Sequence, residues 1–223
     1  MWYGSLMRIS PIVWGYFHQG YETVVDLAGK SSITTHAHPI CIGVCRLAGS
    51  LLYNIINGVK LDRLYNTLKS VDLEDLYQFD TSGLTKQHLT DVINCDYSTY
   101  DPYSLSNVKL TAFAPETLKC ALYALFNSKT FEQGMIKAVN IPGDSDTIGA
   151  IYGYLAGAYY NIDNIPERWG TKLNSFELIV DFCERFIHYV FHYNNLILPE
   201  EQQTIKDQNI QINEPYWRLH YDC

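Results

Sequence analysis

Apolar side chains recur at three- and four-residue steps along most of the chain, the period of a helix that buries one face. In CIGVCRLAGSLLYNIING, residues 41–58, Ile42, Cys45, Ala48, Leu52 and Ile55 share a face, and Asn57-Gly58 ends the pattern. APETLKCALYALFNS places Pro115 at a first helical position, with Leu118, Ala121, Leu122 and Leu125 on one side. TFEQGMIKAVN predicts a further helix, opened by a capping box of Thr130 and Gln133. Residues 148–160 predict another, in which Gly149, Gly153 and Gly157 make a smooth stripe that a second helix can approach. SFELIVDFCERFIHYVFHYNN is the clearest amphipathic segment, with Phe176, Ile179, Val180, Cys183, Phe186, Ile187 and Val190 facing inward.

Between residues 72 and 107 the chain turns to Asp, Ser, Thr, Tyr and Asn, which predicts short helices joined by loops. Strand signals are weak and no repeat is present. The expected architecture is one all-α domain over residues 1–198 and a polar, loosely structured tail over 199–223, from which Trp217 is expected to dock back.

Bulk properties narrow the function. The 223 residues carry a net charge of -8, which argues against a nucleic-acid binder, since phosphates call for basic patches. The six cysteines are scattered without a C-x-x-C pair, a pattern of reduced thiols rather than of a zinc site or disulfide framework. Arg8 and Pro11 interrupt the apolar N-terminus, so it makes a poor signal peptide. The longest uncharged apolar run, residues 148–160, is shorter than the ~20 residues a membrane span needs. A soluble, cytoplasmic protein is expected.

The chemistry concentrates in GDSDT. Asp144, Asp146 and Thr147 offer two carboxylates and a hydroxyl at the mouth of a helix, and an all-oxygen set selects a hard cation over zinc or copper. The competing account is a helix cap, which uses the same residue types.

FEQGMIKAVNIPGDSDTIGAIYGYLAGAYYNIDNIPERW, residues 131–169, resembles the C-terminal core of the ADP-ribosylglycohydrolase family. The matching features, in order, are Phe-Glu, Ala-Val-Asn, Gly-Asp-Ser-Asp-Thr, the glycine-rich helix ending Gly-Ala-Tyr-Tyr, and Ile-Pro-Glu-Arg-Trp. Pro142 stands where the family usually has glycine. Upstream, GSLMRISPI is similar to the family's glycine loop along bound ADP-ribose, which would make Gly4, Ser5, Met7 and Arg8 substrate-binding residues. TTHAHP is similar to its Thr-His-x-x-Pro segment, which would put His36 on the substrate side.

The resemblance implies an all-α bundle holding two divalent ions, Mg²⁺ or Mn²⁺, with Asp144, Asp146 and Thr147 among the ligands. It implies hydrolysis of the glycosidic bond between ADP-ribose and a protein side chain or small acceptor. It also implies a Thr-Asp-Asp cluster and a glutamate ahead of the glycine loop, and no Asp-Asp pair occurs in the chain. The expectation is therefore an N-terminally truncated domain with half a metal site, completed by a partner chain or by self-association. A catalytically inactive ADP-ribose- or nucleotide-binding remnant is the alternative.

Overall fold

The computed structural model describes residues 4–76, 83–104 and 113–194, and among these the regular structure is entirely helical. The chain divides into two compact units, Met1–Pro166 and Glu167–Cys223. The tail that begins at residue 199, Trp217 included, lies outside the described residues.

The first unit is built around one central helix. After a 3₁₀ turn at Leu6–Arg8 come α1 (Ser10–Tyr16), α2 (Tyr21–Ile33) and α3 (Pro39–Ile56). Helix α3 begins where the His38 ring accepts the Ile40 N–H at 3.3 Å, with Pro39 in the first turn. From Ile40 to Leu52 it is buried without a break, so it sits inside the unit, whereas the one-sided pattern predicts a helix lying against it. By length and composition α3 could cross a membrane, but 78% of it is buried inside the protein, the state of a core helix.

Small residues set how closely α2 approaches α3. A side chain at Gly49 would begin 2.8 Å from the Ala28 methyl, and one at Gly29 would begin 2.5 Å from Arg46 Nε. These contacts draw the buried Arg46 between the helices, where it reaches Asp26 at 3.9 Å and the Leu76 carbonyl at 3.4 Å.

Helices α4 (Leu61–Lys69), α5 (Leu73–Leu76) and α6 (Leu84–Ile93) follow, then α7 (Ala114–Phe126), α8 (Phe131–Asn140) and α9 (Ser145–Tyr160). Pro115 occupies the first turn of α7, and Thr130 caps α8 by accepting the Gln133 N–H at 3.2 Å. The reciprocal half of the expected box is altered: Gln133 accepts from the Lys129 N–H, not from Thr130.

The glycine stripe of α9 is used in part. Gly149 and Gly153 face α8 through Val139 and Met135, whereas Gly157 meets nothing within 4 Å. The tightest fit is the reverse one: Tyr152 of α9 fills the space left by Gly134, and its hydroxyl donates to the Phe131 carbonyl at 2.9 Å.

The second unit has α10 (Glu167–Gly170) and α11 (Phe176–Tyr193). Here the expected inward face is overturned at several positions. Phe176 and Ile179 are 42% and 44% exposed and Cys183 is exposed, while Phe186 and Ile187 are half-buried and Val190 is buried. Among the described residues of this unit the other helix is the single turn of α10, which is shorter than the apolar face of an eighteen-residue helix.

Candidate functional site

Two clusters hold the residues singled out in the sequence. The first joins the N-terminal loop to the end of α2. Gly4 lies against the His36 ring: a Cβ there would sit 3.0 Å from Cε1 and 3.4 Å from Nε2. Ser5 is buried beneath it, Met7 is 39% exposed, and Arg8 is exposed.

Ser5 belongs to a chain of hydrogen bonds in which its Oγ accepts from both sides. The Cys45 thiol donates to Ser5 Oγ across 3.4 Å, Ser5 and Ser32 are 2.9 Å apart, and Ser32 Oγ reaches the His36 carbonyl at 2.9 Å. Ser32 Oγ is the donor in both of its contacts, so its one proton is shared between Ser5 Oγ and the His36 carbonyl. The chain thus ties α3, the N-terminal loop and the His36 backbone together. Burial pushes the Cys45 thiol up to about 11, so it stays protonated as a donor at neutral pH. The Tyr154 hydroxyl is buried without a hydrogen-bond partner, and its titration is raised by burial and by the nearby Cys45.

Arg8 fastens the same region from outside. Its Nη2 donates to the Ser31 carbonyl at 3.0 Å, to Thr34 Oγ1 at 3.1 Å and to Thr35 Oγ1 at 2.5 Å. Thr35 Oγ1 also lies 2.7 Å from His36 Nδ1. Thr34, Thr35, Ser32 and Cys45 are the residues that sequence reasoning passed over. The doubled threonine before His36 was their only local signal.

The second cluster starts α9. Asp144 occupies the N-cap position, yet its side chain makes no cap hydrogen bond, and Oδ2 is buried with no hydrogen-bond partner. Asp146, exposed in the first turn, accepts the Thr147 N–H on Oδ1 at 2.8 Å, and Thr147 is buried. The helix begins at Ser145, three residues before the apolar run, because the acidic turn itself is helical. Loss of solvent, followed by the adjoining Asp146 carboxylate, holds Asp144 above the usual carboxylate range. The contact with Asp144 and the Thr147 N–H hold Asp146 below it.

Capping alone leaves the Asp144 oxygen unexplained, whereas a hard cation would use it. Asp144, Asp146 and Thr147 fit such an ion in part, since they offer three oxygen-bearing groups for ~6 coordination positions. Among the described residues no group of three or more His, Cys, Asp or Glu side chains is placed to hold a metal ion. The 3₁₀ turn at Leu6–Arg8 packs on both α3 and α9, so the helix that carries the acidic turn also supports the glycine loop.

The ADP-ribosylglycohydrolase family model matches residues 3–195. The chain is 31% identical over 171 residues to ADP-ribosyl-(dinitrogen reductase) glycohydrolase of Rhodospirillum rubrum, covering 77% of this chain and 50% of that protein. It is 25% identical over 170 residues to ADP-ribosylarginine hydrolase Tri1 of Pseudomonas putida, covering 76% and 41%. A solved structure described as an ADP-ribosylglycohydrolase-related protein complex superposes with a TM-score of 0.69 at 29% identity, covering 84% of this chain and 60% of that one. The chain spans about half the length of the curated relatives it matches. With the family model matched across both clusters and most of the helical fold, this chain belongs to the ADP-ribosylglycohydrolase family.

Proposed function

We propose that the protein hydrolyses the glycosidic bond between ADP-ribose and a protein side chain or small acceptor, with Mg²⁺ or Mn²⁺ bound by Asp144, Asp146 and Thr147. The observation that carries this is the buried, unpartnered Oδ2 of Asp144 beside a second carboxylate, in a chain of this family. Bound cations would orient sugar hydroxyls and sharpen a water as nucleophile. The protein's own groups then bind and position. The Gly4–Arg8 loop, free of bulk at Gly4, offers backbone to a pyrophosphate, Arg8 adds positive charge, and His36 presents a ring edge at Gly4.

Three oxygen-bearing groups leave the other coordination positions to water or to groups outside this set, and a partner chain or a second copy is one source of them. ADP-ribosylated protein or free ADP-ribose is the other partner, and neither nucleic acid nor membrane is involved. A cytoplasmic location belongs to the same proposal.

A second reading is an ADP-ribose- or nucleotide-binding remnant without turnover. It is favoured by the lack of a three-ligand metal group among the described residues. One assay separates the two: release of free ADP-ribose from arginine- and serine-linked ADP-ribosylated protein with Mg²⁺ or Mn²⁺. Release that is lost in Asp144→Asn/Asp146→Asn supports the hydrolase. Binding of ADP-ribose by the folded protein without release supports the remnant, and neither binding nor release rejects both.

A further inference from the structure

We infer that Arg8 directs the Thr35 hydroxyl proton at His36 Nδ1, so that the ring carries its own proton on Nε2 and meets a ligand as an N–H donor over Gly4. The argument is a matter of proton direction. Arg8 has no acceptor, so in its contact with Thr35 Oγ1 the guanidinium donates. The Thr35 hydroxyl keeps one proton of its own. Its other close polar neighbour is His36 Nδ1, 2.7 Å away, and the proton is directed there. An Nδ1 that accepts is unprotonated, so the proton of the neutral ring resides on Nε2.

Neighbouring contacts agree. Thr34 Oγ1 also accepts from Arg8 and passes its own proton to the Ser31 carbonyl at 2.9 Å, which leaves Thr35 to serve His36. The His36 main chain is held separately, through its carbonyl, by Ser32. Ring and backbone are therefore fixed by different hydrogen bonds, and the Cε1–Nε2 edge is left against Gly4. A donor so placed suits an oxygen acceptor, such as a pyrophosphate or sugar oxygen. That last step rests on the ADP-ribose reading above; the proton assignment does not. Arg8 and Thr35 act here as positioning residues.

The test is nitrogen NMR on the full chain labelled with ¹⁵N-histidine at about pH 8, where ordinary imidazoles are neutral. His36 is assigned with a His36→Gln variant. The expected wild-type result is a protonated Nε2, an unprotonated Nδ1 and a cross-relaxation peak between His36 Hε1 and Gly4 Hα. Thr35→Val should move the Nδ1 resonance, erase that peak and weaken ADP-ribose binding about fivefold, the worth of one lost hydrogen bond. Thr35→Ser should restore all three to within about twofold. A proton found on Nδ1 in the wild type, or a Thr35→Val spectrum unchanged from wild type, overturns the inference. If Thr35→Val does not fold, the wild-type assignment decides alone. Failure of the wild type to bind ADP-ribose would sink the functional proposal while leaving the proton assignment to stand or fall by its spectrum.

Discussion

Gly4 and His36 fit together with no room for a methyl group between them: a Cβ on Gly4 would lie 3.0 Å from His36 Cε1. Gly4 does not hold a left-handed backbone conformation, so alanine adds no backbone strain and restricts the unfolded chain slightly, while its methyl needs the His36 ring to give by a few tenths of an ångström. Gly4→Ala should therefore leave Tm within about 2 °C of wild type. It should also tilt the ring that Thr35 holds and weaken ADP-ribose binding roughly five- to tenfold. Calorimetric titration beside a thermal melt checks both; unchanged affinity would show that the His36 ring plays no part in binding.

Asp144 is poorly placed unless a cation is present. Its carboxylate is desolvated, faces Asp146 and leaves Oδ2 unpartnered. Asp144→Asn removes that repulsion, so metal-free protein should melt about 1–3 °C higher than wild type. The variant should also lose the rise in Tm that millimolar Mg²⁺ or Mn²⁺ gives the wild type by mass action. A lower metal-free Tm in the variant would mean that the carboxylate is an ordinary structural cap.

How much of this was legible in the chain varied with the physics behind each feature. The 3.6-residue period located α3, α7, α8, α9 and α11, because burial of a face leaves a repeating mark. It did not reveal that α3 is buried all round, since Arg46 and Ser50 read as polar until Asp26, the Leu76 carbonyl and Tyr21 are seen to satisfy them. Helix α2 escaped notice because Asp26, Lys30 and two serines dilute its apolar face. The acidic turn was visible as residue types, but only the folded backbone separates a carboxylate that caps from one that does not. Least legible was the support of His36. Ser32 and Cys45 lie four residues before it and nine after it, and no local pattern announces a chain of hydrogen bonds running through Ser5.

Thiol chemistry should report the packing directly. Cys45 and Cys120 are buried and Cys95 partly so, and burial pushes them from an ordinary 9.0 up to about 11, 12 and 11. In the folded state they hold protons that the unfolded chain gives up near pH 9, so stability is full below that pH and falls as pH rises toward 11. Melting curves should show Tm dropping by several degrees between about pH 8 and pH 10. In a Cys223→Ser background, the exposed Cys183 should react with a disulfide dye at once at about pH 8, and Cys45 and Cys120 only on unfolding. Rapid modification of Cys45 in the native protein would contradict its place under the glycine loop.

Two tyrosines on α9, two residues apart, make opposite predictions. The Tyr152 hydroxyl is buried and donates to the Phe131 carbonyl at 2.9 Å, with its ring in the space above Gly134. Tyr152→Phe removes this donor from the Phe131 carbonyl, which opens a helix, and should cost about 1 kcal/mol. The Tyr154 hydroxyl is buried near Cys45 with no hydrogen-bond partner. Tyr154→Phe removes a desolvated group that gains nothing in return, so it should leave stability unchanged or raise it by up to about 1 kcal/mol. Urea unfolding of the two variants against wild type gives the comparison with the amount of aromatic surface held constant. A loss at Tyr154 equal to that at Tyr152 would place a hydrogen-bonding partner beside Cys45 and extend the Ser5–Ser32 chain into α9. A loss at Tyr152 alone would establish that the chain ends at the Cys45 thiol, and that α9 meets the glycine loop through packing only.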